Sequence, residues 1–310
     1  MRLIRRLADW PATPDGTVAT IGNFDGVHLG HRAMLDAVRE RARALAVPST
    51  VVSFEPLPHE YFAGDSAPGR LQGLRERVRS LAAEGIDRLL LLRFDTAFAA
   101  QPPARFVEKT LVETLGTRHL VIGDDFRFGA NRAGDLAFLE AAGRRHGFTV
   151  AAQSTVDDGA GRVSSSRIRA HLAAGELDAA AALLGRPYRI SGRVVHGEKL
   201  GRTLGFPTAN VALGRHRPPL AGVFAVRATD LDDGRSRPAV ANLGRRPTVG
   251  GVKLLLEVHV LDGTPELYGH HLAVDFLHFV RGERRFDSIE ALGEQIRRDA
   301  AAARAALAGG

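Results

Sequence analysis

Cysteine is absent from all 310 residues of the chain. That excludes disulfides, thiolate metal sites and cysteine nucleophiles outright, and it fits a reducing compartment. Aromatic residues are scarce at 6%, which leaves little material for a surface that stacks nucleic-acid bases. No run reaches the roughly 18 apolar residues needed to cross a bilayer. The N-terminus, MRLIRRLADW, is basic but lacks the apolar core and small-residue cleavage site of a secretion signal. A long basic block is also missing. The net charge is +7, yet the arginines are scattered beside Glu or Asp, as in RERVRSL and RGERRFDS. Such an excess suits small polyphosphate ligands. The expectation is a soluble cytoplasmic enzyme with no nucleic-acid partner and no membrane partner; an oligomer is possible but is not predicted.

Two textures divide what is present. In the first half, short apolar runs (GTVATIG, STVVSF, DRLLLLRF, RHLVIG, FTVAAQ) alternate with amphipathic stretches that mostly end near a glycine. That alternation is the βαβ pattern of a parallel sheet, and the runs lack polar alternation, so both sheet faces should be buried. Two more helices are expected at SSSRIRAHLAAG and ELDAAAALLG. Beyond about Gly185 the strand-like runs YRISGRVVHG, GVFAVRATDL, RPAVANLG, KLLLEVHVLD and HHLAVDFLHFVR are separated by Gly, Pro and Asp turns. With no helix-period segment between them, they predict an antiparallel barrel. An amphipathic helix from about Ser288 to Leu307 follows.

The stretch GNFDGVHLGHRAML, 22 to 35, reads as a strand end, a glycine-rich turn and a helix start. Unpaired N–H groups at a helix N-terminus attract anions, and Gly22, Gly26 and Gly30 would let a nucleotide approach the backbone. It is neither the dinucleotide GxGxxG nor a Walker P-loop. His28 and His31 could donate hydrogen bonds to phosphate. A zinc site would need a third ligand, and its helical spacing is usually HExxH. A packing or capping role stays open for either ring. In VIGDDFRFGANRAGD, Asp125 follows a strand at the carboxyl edge where open α/β sheets bind ligands, or it is a turn residue. In VSSSRIR, Ser164, Ser165, Arg167 and Arg169 stand at a helix start, suited to phosphate or to simple capping. In the second half, VVHGEKLGRTLGFPTANV places Thr208 and Asn210 on one side of a strand if one begins there. Lys199 or Arg202 would be available for phosphate charge. Spacing alone does not separate an Mg²⁺–phosphate site from a glycine-rich turn.

Together these motifs resemble the bifunctional riboflavin kinase/FMN adenylyltransferases. GNFDGVHLGH is similar to the HxGH motif of the adenylyltransferase half, and VIGDDFRFG and SSSRIR are similar to two further segments of it. GEKLGRTLGFPTAN resembles the kinase signature, followed in family order by GVFAV, NLGRRPTVGG, LLEVHVLD, LYG and FVRGERRFDS. The resemblance implies a Rossmann-like α/β nucleotidyltransferase domain over 1–185 and an antiparallel β-barrel kinase domain with a C-terminal helix over 186–310. Implied at the adenylyltransferase nucleotide are Gly22, Asn23, Phe24, Asp25, Gly30, Asp125, Ser164, Ser165, Arg167 and Arg169, with His28 and His31 catalytic. Implied at the kinase nucleotide are Gly197, Lys199, Leu200, Gly201, Arg202, Gly205 and Pro207. Thr208 and Asn210 would hold the Mg²⁺ of MgATP, and Glu257 would be the general base. Arg281 and Glu283 would lie near the flavin. Without the resemblance, Glu257 reads as an outward-facing strand residue. The implied partners are riboflavin, FMN, FAD and ATP. One stretch departs: FEPLPHE has Leu57 where the family commonly has histidine, with His59 two positions later. That stretch is expected to line the nucleotide or flavin site.

Overall fold

The computed structural model describes residues 1–197, 205–214, 217–248, 251–263 and 265–309, with the backbone alone over 245–248 and 251–253. Two compact units emerge. The first comprises 1–68 and 77–164; the second comprises 69–76 and 165–310.

The first unit is built on a parallel sheet of β1 (Arg2–Ile4), β2 (Thr17–Ile21), β3 (Ser49–Glu55), β4 (Arg88–Arg93), β5 (Thr117–Gly123) and β6 (Thr149–Gln153). Their spatial order is β1-β4-β3-β2-β5-β6. Helices α1 (Leu29–Ala44), α2 (Pro58–Ala63), α3 (Leu74–Ala83), α4 (Thr96–Ala99), α5 (Pro103–Phe106) and α6 (Leu136–His146) fall between strands. Both faces are covered, as the unbroken apolar runs require. Ala19, Ile21, Val52 and Leu90 join one core cluster with Phe106, Leu111 and Leu139. Val18 and Val121 join another with Val38 and Ala42 of α1. Each wholly buried Val or Leu contributes about 1.5–3 kcal/mol. The strands after β2 build outward in one direction and β5 and β6 in the other. The order therefore reverses between β2 and β5, and the crevice outside their carboxyl ends is where such sheets bind ligands.

In the second unit, six strands close a barrel in the order β10-β11-β8-β7-β12-β9, every pairing antiparallel. They are β7 (Tyr188–Val195), β8 (Ala209–Val211), β9 (Gly222–Asp230), β10 (Ser236–Thr248), β11 (Gly251–Val260) and β12 (His271–Arg281). Helix α9 (Ile289–Ala308) starts at Ser288, whose hydroxyl accepts from the Ala291 N–H. The small residues Ala300 and Ala303 let it pack closely on Val223, Ala225 and Val240. Helices α7 (Ser165–Ala174) and α8 (Leu177–Leu184) also belong to this unit, so compactness divides the chain earlier than the expected 185/186 boundary. Segment 69–76 joins them: Glu76 accepts from the Ser191 N–H and hydroxyl, and Arg169 Nε donates to Gly69 O. Among the described residues, no helix is long and apolar enough to cross a membrane.

Candidate active sites

The first site grows from the turn after β2. Phe24, Gly26 and Val27 adopt φ values of 50°, 93° and 41°. Left-handed backbone at a β-branched valine costs about 1–3 kcal/mol. Wholly buried side chains offset it, since Phe24 and Val27 pack in the core with Leu35, Val51 and Leu81. The strained turn delivers His28 to the N-cap of α1, where its Nδ1 accepts from the His31 N–H at 3.4 Å. The His28 and His31 rings stack 3.7 Å apart at 19°. His31 Nδ1 is buried with no hydrogen-bond partner among the described residues. Burial first, then the charges of His28 and Arg162, hold the His31 pKa well below the ordinary imidazole value. His31 is therefore neutral at pH 7 and donates from one ring nitrogen. Gly30 is needed for close approach: a Cβ there would come within 3.3 Å of Val163 O and of the His28 ring.

The end of β5 supplies the opposite wall. Asp125 forms a two-pronged ion pair with Arg162 at 2.5 and 3.1 Å, and that hydrogen-bonded guanidinium holds its carboxyl below the usual range. Asp124 accepts from the Thr155 hydroxyl. Beneath the turn lies Arg77, only 1% exposed. It donates to Asn23 O and Phe54 O, both at 2.9 Å, and to Glu55 at 3.1 Å. Arg77→Met is expected to destabilise this unit by about 2–4 kcal/mol, because two interior carbonyls lose their charged donor. Urea unfolding followed by circular dichroism checks it; an unchanged midpoint contradicts it.

The second site is a cavity of about 280 Å³ between the barrel wall and α9. Thr208, Asn242, Glu257, His259, Arg281 and Glu283 contribute its polar lining, with Phe206, Leu292 and Ile296 apolar. Register sets Glu257 of β11 opposite Asn210 of β8. The Asn210 amide packs against the bare backbone of Gly197, where a Cβ would overlap it. Two register irregularities in β12 precede Arg281, the kind of local bulge that re-aims a side chain. Its guanidinium grips the buried Asp299 of α9 at 2.7–3.0 Å, and Gln295 also donates to Asp299.

Comparison with known proteins matches residues 11–167 to the FAD synthetase family model and residues 184–307 to the riboflavin kinase model. The bifunctional riboflavin kinase/FMN adenylyltransferase of Pseudomonas fluorescens is 52% identical, over 99% of this chain and 98% of that protein. Its counterpart in Escherichia coli K12 is 48% identical, over 98% and 97%. The chain belongs to this bifunctional family. A crystal structure described as a macrolide-efflux protein from Streptococcus pneumoniae shares the fold at a TM-score of 0.83 and 30% identity, covering 97% of this chain and 98% of that one. That description is of that protein; the family rests on the curated relatives and the two models.

Within the adenylyltransferase half, His28, His31, Gly30 and Asp125 gather in the first unit around Arg162, which sequence reasoning missed. Phe24 is a core side chain, so only its backbone is available to a ligand. Asp25 is 2% exposed, and Asn23 is tied down through its carbonyl. Ser164 ends the first unit, whereas Ser165, Arg167 and Arg169 lie on α7 in the second. In FEPLPHE, Leu57 is 1% exposed and stands at the N-cap of α2. Within the kinase half, Thr208, Glu257, Arg281 and Glu283 share the cavity. Gly205 takes φ 81° with open space around it. Lys199, Leu200, Gly201 and Arg202 lie outside the described residues. Asp299 was legible in principle, being a carboxylate on the inward stripe Leu292, Ile296, Asp299, Ala300, Ala303 of α9.

Proposed function

We propose that the barrel half, 186–310, moves the γ-phosphoryl group of ATP to riboflavin and that the α/β half, 1–185, moves AMP from a second ATP to the resulting FMN. In the first step the riboflavin 5′-hydroxyl oxygen bonds to the γ-phosphorus as the bond to the β-phosphate bridging oxygen breaks. Glu257 takes the hydroxyl proton, and ADP leaves. In the second step a phosphate oxygen of FMN attacks the α-phosphorus, FAD forms, and pyrophosphate leaves. Neither step needs a covalent enzyme intermediate; positioning and charge stabilisation carry the rate.

The observation that carries this reading is Glu257 lining a cavity beside Thr208 in one unit, on a chain whose other unit stacks two histidines at a helix N-terminus. Thr208 and Asn210 offer the hard oxygen donors that Mg²⁺ prefers, and the Gly197 backbone leaves room for the Asn210 amide; these residues fit the ion. Mg²⁺ would supply charge neutralisation across the β- and γ-phosphates. In the other half, the N-terminus of the sixteen-residue helix α1, with His28 at its N-cap, supports the holding of an anion. His28 and His31 are assigned to the α-phosphate. Gly22, Asn23, Asp25, Gly30 and Asp125 are assigned to the nucleotide. The Ser164–Arg169 segment is assigned to the departing pyrophosphate on the strength of the resemblance. The same holds for Gly197, Gly205 and Pro207 at the kinase nucleotide, and for Arg281 and Glu283 near the flavin. On this reading the enzyme works in the cytoplasm on riboflavin, FMN and ATP, with no role for nucleic acid or membrane.

Incubation of the full chain with riboflavin and MgATP, with products separated by chromatography, is expected to yield FMN and then FAD. Chelation of the divalent ion should stop both. Absence of either product at saturating substrate contradicts the reading for that half.

A further inference from the structure

Strand β8 is short, and its ladder with β11 runs only from Val211 opposite Leu256 to Ala209 opposite Val258. Thr208 stands one residue before that ladder, after Pro207, which has no N–H to donate. Continuing the register one step sets His259 opposite Thr208. There, His259 Nδ1 lies 2.9 Å from Pro207 O, and the His259 ring meets the Phe206 ring edge-on at 5.3 Å. A carbonyl oxygen only accepts, so Nδ1 must carry the hydrogen and donate it. His259 also lines the same cavity as Thr208 and Glu257.

We infer that His259 is a positioning residue for riboflavin phosphorylation: its Nδ1–H grips Pro207 O and thereby fixes Thr208 at the metal–phosphate end of the cavity. This rests on the reading of Thr208 as a magnesium-facing residue. His259 itself abstracts no proton. Its partner is backbone, so its contribution passes through the geometry of the next residue, as second-layer partners of metal ligands commonly act.

The two ring nitrogens have different amide mimics, which makes the inference testable in the full-length enzyme. In His259→Asn the amide nitrogen stands near the Nδ1 position; in His259→Gln it stands near Nε2. His259→Gln is expected to lower kcat/KM for MgATP in riboflavin phosphorylation by about tenfold or more, and to weaken MgADP binding in calorimetry by a similar factor. His259→Asn should stay within about threefold of the parent on both measures. FMN adenylylation by the same chains should be unchanged. The reverse order, with Gln tolerated and Asn impaired, would mean that Nε2 touches substrate, and it overturns the inference. So does equal loss in both variants or loss in neither. Thr208→Val, which keeps shape and removes the hydroxyl, separates the underlying reading. If MgADP binding survives it unchanged, the metal assignment of Thr208 fails whatever His259 does.

Discussion

Glu257→Gln is expected to slow riboflavin phosphorylation by about 10²–10⁴-fold, the usual contribution of a positioned general base. The substitution keeps the size of the side chain and removes only its ability to take a proton. Its flanking residues, Leu256 and Val258, are buried on the other side of β11, whereas Glu257 and His259 line the cavity. The substitution therefore leaves the side chains of the barrel core unchanged. Supplied FMN should still be converted to FAD at the parental rate, because the histidine pair lies in the other unit. Rates of FMN and FAD formation, measured separately by chromatography, check both statements. Undiminished phosphorylation would remove Glu257 from its assigned role.

The second large effect belongs to the histidine pair. His28→Asn combined with His31→Ala is expected to reduce FMN adenylylation by about 10²–10³-fold, the scale of losing donors aimed at developing negative charge. Asparagine at 28 is chosen because the native ring caps α1 by accepting from the His31 N–H; an alanine would add about 0.5–2 kcal/mol of helix destabilisation. Riboflavin should then accumulate as FMN and go no further. His31 is neutral in the free protein because burial and the charges of His28 and Arg162 oppose its protonation. The contribution proposed for it is therefore a hydrogen bond to the α-phosphate and not a resident positive charge. Normal FAD formation by the double variant would return both rings to capping and packing.

Much of the architecture was legible because burial leaves a mark on composition. Strands β2 to β5 are rich in Val, Leu and Ile because helices cover both sheet faces. The barrel strands and α9 declared themselves by turn residues and by a change of period. Strand β1 escaped because three residues at a sheet edge, one of them arginine, make no pattern. Helices α2 and α4, of six and four residues, are too short for periodicity to register. Segment 69–76 gives no sign in its composition that it groups with the barrel unit.

What the residues by themselves determined was the pair of folds, their order, and the identity of the polar side chains grouped at each motif: His28 and His31 at a helix start, Thr208 and Asn210 entering a strand, and Glu257 in an apolar run. Tertiary structure alone decided which charged groups meet. Arg77 reads in RERVRSL as one more surface arginine, yet it is nearly sealed from solvent beneath the His28 turn. Arg162 becomes the partner of Asp125 across 37 residues of chain, and His259 the clamp on Pro207 across 52. The reason is that periodicity records which face of an element is dry, a property of near neighbours along the chain. A hydrogen bond between distant residues depends on strand order and register, and local sequence carries no imprint of those.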